Sequence, residues 1–169
     1  MATPRRNLIS VSNTPYYHCI SRCVRRAYLC GQDPLTGRSY EHRRDWVENK
    51  LLQLGRVFCI DICAYAVMSN HTHLVLHIDI AKAKRLNNKA ILIRWHKLFK
   101  STFLCQRFLN GELLTQTELS AVNTRVSLYR ERLSSISWFM RVLNEGIARK
   151  ANLEDECKGR FWEGRFKSQ

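Results

Sequence analysis

Two histidines one residue apart, His71 and His73, open an alternating apolar run. In a β-strand successive side chains point to opposite faces, so both imidazoles would project from the same side, about 6.5 Å apart along the strand. Two imidazole nitrogens at that separation can bind one divalent metal ion. Histidines at this spacing are more often a surface pair without a ligand than a metal site. Whether His71 and His73 bind a metal therefore depends on the other residues of the chain.

The segments around the pair predict a β-hairpin. The apolar run over 58–68 indicates a central strand, Ser69 and Asn70 favour a tight turn, and 71–78 returns as the antiparallel partner. One face of that second strand suits the core and the other is open for a site. The alternation divides the residues into Thr72, Leu74, Leu76 and Ile78 on the core side and His71, His73, Val75 and His77 on the open side.

The remaining pattern alternates strands and helices, which predicts an α+β fold. The predicted segments are a strand over 16–23, a helix over 43–54 stopped by Gly55, a basic connector over 82–89, a helix over 90–109, a helical insertion over 111–134, a helix over 136–151 and a further strand within 159–166. Neither an internal repeat nor a low-complexity linker interrupts the chain. We therefore expect a single domain over residues 1–169.

The charge of the chain points to a phosphate-bearing partner. Among 169 residues, 28 Lys and Arg face 14 Asp and Glu, which gives a formal net charge of +14. Such an excess is the electrostatic signature of a protein that binds nucleic acid. Basic proteins also bind membrane surfaces, but the longest apolar run, over 62–68, is far too short to span a bilayer, so no membrane partner is expected.

The N-terminal region and the cysteines favour a cytoplasmic protein. No apolar leader segment follows Arg5 and Arg6, so no secretory signal is expected. The seven cysteines are odd in number and contain no CxxC pair, which supports neither a disulfide framework nor a zinc ribbon. We interpret them as reduced thiols with structural roles.

Four blocks in order resemble the REP-associated tyrosine transposases and related single-tyrosine transposases of insertion sequences. The block over 15–26 is similar to the opening strand of that family, and the block over 65–73 is similar to its His-hydrophobic-His (HUH) metal motif. The blocks over 139–144 and 159–167 resemble the helix and strand that follow. The resemblance covers nearly the whole chain, with 111–134 as the least familiar part.

The resemblance implies a fold, a cofactor and a reaction. The fold would be a ferredoxin-like antiparallel sheet with helices packed on one face and the HUH motif on a central strand. His71 and His73 would bind Mg or Mn, and Thr72 would replace the hydrophobic middle residue while pointing to the core. The reaction would be cleavage and rejoining of hairpin-bearing single-stranded DNA, in transposition and DNA recombination of a mobile element. It would run through a phosphotyrosine intermediate that conserves bond energy.

The nucleophile departs from the family pattern. In the family the attacking tyrosine lies on a helix after the last strand, whereas this chain ends at Gln169, seven residues after Trp162, and has no tyrosine beyond Tyr129. Tyr129 precedes the helix and strand that should come before the nucleophile, so a catalytic role for it is not expected. We expect the catalytic tyrosine beyond Gln169, with the domain incomplete at its C-terminus. The third metal ligand, commonly supplied by the same helix, is not assigned.

Basic and aromatic residues near the first and last strands are the candidate DNA contacts. Each cluster of charges is equally consistent with a solvated face, and Trp162 is equally consistent with the core. His18 is a weaker candidate to approach the metal from the first strand, and His77 should lie too far along its strand. The candidate contacts are Arg22, Arg25, Arg26, Arg160, Trp162, Arg165 and Lys167.

Three functions remain open on the sequence. The first is a transposase-like nickase and strand transferase, and the second is a nucleic-acid-binding remnant without catalysis. The third is a metal-dependent nuclease that uses water. Relatives include dimers that exchange helices, so a homodimer is one alternative for the assembly.

Overall fold

The structure is a computed structural model that describes residues 14–24 and 27–169. The described part is α+β, with four strands and six helices. The elements in chain order are β1 (Tyr16–Arg22), α1 (His42–Val57), β2 (Ile60–Val67), β3 (His71–Ile78), α2 (Ile80–Arg85), α3 (Asn88–His96), α4 (Phe103–Leu109), α5 (Gln116–Leu133), α6 (Ile136–Glu154) and β4 (Lys167–Ser168).

The four strands form one antiparallel sheet in the order β2-β3-β1-β4. The hairpin is as predicted: β3 has the expected bounds, and Val67 pairs with Thr72 across the turn. Strand β1 lies on the other side of β3, with Ile20 opposite His73 and Arg22 opposite His71. The strand that carries both histidines is therefore flanked on both sides.

The two faces of the sheet differ in burial as the alternation predicts. Leu74 and Leu76 of β3 and Cys19 of β1 are fully buried, and they join one cluster with the apolar sides of the helices. The side chains that alternate with them, including His71 and His73, are only partly buried. This half-exposed side of the sheet is called the open face below. Burial of the apolar side fixes the register and so exposes the histidines.

The predicted helix stop at Gly55 is wrong, because α1 continues to Val57. A Cβ atom at position 55 would lie 3.3 Å from Ile62 Cδ1 on β2, which is a tight contact. The glycine allows close approach of helix and sheet and does not end the helix. This reason is tertiary and leaves no signal in the local pattern.

The predicted helix over 90–109 is two helices, α3 and α4. The break ends at Thr102, whose hydroxyl accepts a hydrogen bond from the Cys105 backbone N–H and caps α4. Hydroxyl residues favour such caps over helix interiors. The basic connector over 82–89 is partly helical as well, since α2 begins after the side-chain cap of Asp79.

The predicted insertion over 111–134 is helical, and α5 starts with a capping box between Thr115 and Glu118. It is not peripheral, because its buried side, including Val126 and Tyr129, packs into the same core cluster as the sheet. Helix α5 packs against α3. The segment therefore contributes to the common core.

The predicted strand within 159–166 is wrong. That segment is irregular apart from one bridge between Trp162 and Cys23, and β4 comprises only Lys167–Ser168. Gly159 has φ +126°, far from an extended strand. The segment runs along the edge of β1 as a loop that contacts it at the Trp162 bridge, and regular strand pairing begins at Lys167.

Candidate nucleic-acid and metal site

His71 and His73 lie side by side on the open face of β3. Their ring centroids are 4.9 Å apart and the ring planes are nearly perpendicular. Both side chains line a cleft of about 480 Å³, called the histidine cleft below. The strand periodicity had predicted this shared face.

The residue before the pair fixes the orientation of His71. Asn70 Oδ1 lies 2.6 Å from His71 Nδ1, so the ring donates its Nδ1 hydrogen to the amide oxygen. The Nε2 atom then carries the lone pair. Burial, followed by the charges of His73 and Arg22, lowers the pKa of His71 below its ordinary value, which favours the neutral imidazole that ligates metals.

His18 is closer to the pair than the sequence indicated. It lies on β1 opposite Val75, and its Nε2 atom is 2.8 Å from His73 Nδ1. The two rings are stacked, with planes inclined by 15°. One of the two nitrogens donates and the other accepts. The alternation of β1 placed His18 on one face of its strand, but only the pairing of β1 with β3 brings it to His73.

The histidine cleft is basic. Arg22 of β1, Lys167 of β4 and Arg165 of the preceding loop line it together with one carboxylate, that of Glu163. Three guanidinium or ammonium groups against one carboxylate favour an anionic ligand. The remaining wall is formed by Ile20 and Gly164.

The loop that supplies Glu163 and Arg165 is held by main-chain and side-chain hydrogen bonds. The Glu163 backbone N–H donates to the Arg22 carbonyl at 2.8 Å. The Trp162 indole N–H donates to the Asn144 carbonyl at 2.7 Å, and Asn144 in turn donates from its side chain to Ser21 Oγ at 2.8 Å. Helix α6 and strand β1 thus fix the loop over the histidines.

The candidate DNA contacts separate into three groups. Arg22, Arg165 and Lys167 line the histidine cleft. Arg160 is exposed and lies outside that lining, and Trp162 is half-buried with its N–H used to anchor the loop. Arg25 and Arg26 lie outside the described residues.

No tyrosine of the described residues lines the histidine cleft. Tyr129 is buried in the helical core, stacked on Trp95 with ring centroids 4.6 Å apart. His77 lies at the far end of β3, where Asp61 Oδ2 is 3.0 Å from its Nδ1. It is outside the cleft, as its position along the strand predicted.

No cysteine of the described residues lines the histidine cleft. Cys23 lines a neighbouring cleft together with Arg22 and Asn70. Burial raises the pKa of Cys23 to about 12, so it holds no thiolate at neutral pH.

The donor atoms fit a divalent metal that keeps open coordination positions. Nδ1 of His71 is committed to Asn70, and Nδ1 of His73 faces His18, which leaves the two Nε2 atoms as ligand atoms. Within residues 14–24 and 27–169, however, no three His, Cys, Asp or Glu side chains are grouped to hold a metal. Two imidazoles also suit Mn²⁺ better than Mg²⁺, which prefers oxygen ligands.

Comparison with known protein families, curated proteins and solved structures found no match to this chain. The described helices include none that is both long and apolar enough to cross a membrane.

Proposed function

We propose that the histidine cleft binds single-stranded DNA and is the metal-dependent centre of a transposase-like domain that nicks and rejoins DNA. The observation that carries this proposal is the placement of His71 and His73 on one open face beside Arg22, Arg165 and Lys167. A metal-ligand pair within a basic cleft suits a phosphodiester substrate.

The topology supports the same class. The element order gives a β-α-β-β-α-β succession once the helices over 80–133 are set aside, and the sheet order is β2-β3-β1-β4. A ferredoxin-like fold has this succession and this order. On this proposal β3 is the central strand that carries the HUH motif.

The histidines and the cations of the cleft have different roles in the proposed reaction. A bound divalent ion would polarise the scissile phosphate. The Nε2 atoms of His71 and His73 would hold that ion, and Asn70 orients His71 through the 2.6 Å hydrogen bond. Arg22, Arg165 and Lys167 bind the phosphates of the strand on either side of the cut, and hairpin-bearing DNA is the proposed substrate.

The attacking group is proposed to be a tyrosine outside the described residues. Its hydroxyl oxygen would bond to the phosphorus, the 3′ oxygen would leave and take up the proton, and the 5′ phosphate would stay joined to the tyrosine. Reversal of these steps rejoins the strand. The second candidate, binding without cleavage, is supported by the lack of a tyrosine in the described lining of the cleft.

Metal binding tests the proposal directly. Titration with Mn²⁺, followed by the electron paramagnetic resonance of the free ion, should show one site that His71→Ala and His73→Ala each abolish. His77→Ala is the matched control, because His77 lies on the same face of β3 but outside the cleft. Equal Mn²⁺ affinity in all four chains would overturn the site.

DNA binding tests both candidates, and a covalent adduct tests the assignment of the nucleophile. With Mn²⁺ present, the chain should bind a hairpin-bearing single strand, and a denaturing gel should show no covalent protein–DNA band. A covalent band would show that a tyrosine of this chain attacks. Failure to bind any single strand would overturn both candidates.

A further inference from the structure

A groove runs along α1, where the helices cover the buried side of the sheet. It consists of two adjoining hollows of about 350 Å³ and about 450 Å³, which share Asn49 and Gln53 of α1 as lining residues. Gly146 and Lys150 of α6 line the first hollow, and Lys97, directly after α3, lines the second. Neither hollow shares a lining residue with the histidine cleft. This surface, called the helical groove below, is therefore separate from the proposed DNA site.

All charged side chains that line the helical groove are basic. They are Lys50, Arg56, Lys97 and Lys150. Among the residues that the structure describes, none of these four forms an ion pair, whereas Arg107 and Arg149 on other helical surfaces pair with glutamates. Unpaired cations grouped in one groove attract an anionic partner.

Lys50 is the most enclosed of the four cations, since it is half-buried and the other three are exposed. Its ammonium group donates to Gln53 Oε1, a neutral acceptor, at 2.9 Å. Burial lowers the pKa of Lys50 below its ordinary value, because the ammonium group has lost water and gained no carboxylate. A carboxylate bound in the groove would stabilise this charge.

Apolar side chains lie between these cations. Trp46 is half-buried in the lining, and Lys150 Nζ lies 4.1 Å from the centroid of its ring. Leu52, which lines the second hollow, is 57% exposed. Exposed apolar groups rimmed by polar ones are typical of protein interaction sites, whereas nucleic-acid interfaces are more polar. The helical groove therefore suits an acidic protein segment better than a phosphate backbone.

The length and charge of the groove indicate what kind of segment fits. Trp46 and Arg56 are about 15 Å apart along α1, at the rise of an α-helix, which a helix of about ten residues covers. Helices that dock in grooves do so with one apolar face. Residues 1–13 of this chain contain Arg5 and Arg6 and no carboxylate, and a second copy of the chain has the same net charge of +14. Charge therefore favours a different protein as the occupant.

We propose that the helical groove is a docking surface for an acidic amphipathic helix of a partner protein. The apolar face of that helix packs on Trp46 and Leu52, and its carboxylates pair with Lys50 and Lys150. This inference adds a protein partner to a chain whose net charge alone pointed to nucleic acid. It does not depend on the proposed function.

Two labelled synthetic peptides test the docking surface by fluorescence anisotropy, in the absence of DNA and Mn²⁺. Both have about 15 residues, the length at which an isolated helix becomes stable, and both consist of glutamate, leucine and alanine. In one peptide the leucines recur at helical spacing, and in the other the same residues are scrambled. The unaltered chain should bind the amphipathic peptide on the order of 10-fold more tightly, because only that peptide buries its leucines together.

Substitutions locate the bound peptide. Leu52→Ser should weaken its binding by about 5-fold to 10-fold, because part of the apolar contact is lost. Leu153→Ser is the matched control, since Leu153 is an exposed leucine of α6 outside the groove. Lys150→Glu should weaken binding by about 5-fold. Lys84→Glu makes the same change in net charge on α2, outside the groove, and should weaken binding by less than about 2-fold.

Three results would overturn the inference. Equal affinity for the two peptides, or no binding of either, excludes a docking surface for an amphipathic helix. Equal losses in the groove variants and in their controls exclude this location. Binding of a blunt DNA duplex that Lys150→Glu weakens more than Lys84→Glu does, without peptide binding, assigns the groove to nucleic acid. None of these results alters Mn²⁺ binding at the histidine cleft, so the proposed function is tested separately.

Discussion

The contact between His18 and His73 gives the sharpest prediction for the metal site. His18→Phe keeps a flat ring on β1 but removes the nitrogen that lies 2.8 Å from His73 Nδ1. A neutral imidazole carries one hydrogen, on either of its nitrogens. With His18 as acceptor, His73 carries that hydrogen on Nδ1 and keeps Nε2 free for a metal. Without the acceptor, part of the His73 population should carry it on Nε2 instead.

The magnitude follows from the burial of the contact. Removal of a group that orients a metal ligand costs about 10-fold to 100-fold in metal affinity, or about 1.4 to 2.8 kcal/mol. The contact is only partly buried, so water can replace the lost acceptor. We therefore expect the lower end, about a 10-fold weaker Mn²⁺ affinity. Asn70 continues to orient His71 in the variant.

Two measurements check this reasoning. Mn²⁺ titrations give the affinity, and long-range ¹⁵N–¹H spectra of the metal-free chain report which nitrogen of His73 carries the hydrogen. His18→Gln supplies an amide oxygen as acceptor and should restore much of the affinity. His77→Phe removes a histidine on the same open face that pairs with Asp61, and it should leave the Mn²⁺ affinity unchanged.

Three results would refute the reasoning. The first is unchanged Mn²⁺ affinity in His18→Phe. The second is an equal loss of Mn²⁺ affinity in His77→Phe, which would show that any substitution on this face of the sheet weakens metal binding. The third is a metal-free spectrum in which His73 carries its hydrogen on Nε2, which would make His18 the donor of the hydrogen bond.

Three further outcomes follow from charge and burial. The three cations of the histidine cleft predict that the logarithm of the affinity for single-stranded DNA falls with the logarithm of the salt concentration, with a slope of about −2. Arg165→Gln should make that slope shallower by about 0.7. An unchanged slope in anisotropy titrations would show that Arg165 does not contact the DNA. Arg43 is fully buried between the partly exposed carboxylates of Glu154 and Asp155. Arg43→Met should therefore lower the free energy of unfolding by about 3 kcal/mol, which corresponds to a melting temperature lower by roughly 6 to 12 °C. A decrease of less than about 2 °C would contradict this prediction. Burial lowers the pKa of His96 below its ordinary 6.5. As the pH falls below about 6.5, His96 therefore takes up a proton more readily in the unfolded chain than in the folded one, and the free energy of unfolding decreases. Urea titrations at pH 7.5 and 5.5 should show a smaller decrease for His96→Phe than for the unaltered chain, and an identical decrease would show that His96 does not cause it.

Local pattern predicted much of the architecture. The hairpin of β2 and β3, the long helices α1 and α6 and the helical character of 111–134 all follow from periodicity and turn residues, which act over a few positions. The common face of His71 and His73 was predictable for the same reason, because side-chain direction in a strand depends only on alternation.

Local pattern failed where a distant contact decides the backbone. Gly55 does not stop α1, because its missing side chain admits Ile62 of β2. The segment over 159–166 is a loop, because Trp162 is tied to α6 and Gly159 adopts a positive φ angle. The residues next to Gly55 and Trp162 in the sequence do not reveal the contact of Gly55 with Ile62 or the hydrogen bond from Trp162 to Asn144.

By itself, the sequence determined that two histidines share one face of a strand in a strongly basic chain. Only the tertiary structure decided what surrounds them. The pairing of β1 with β3 brings His18 to His73, and the pairing of β4 with β1 brings Lys167 to the cleft. These partners are more than fifty residues apart in the chain, so only the order of strands in the sheet determines that they meet.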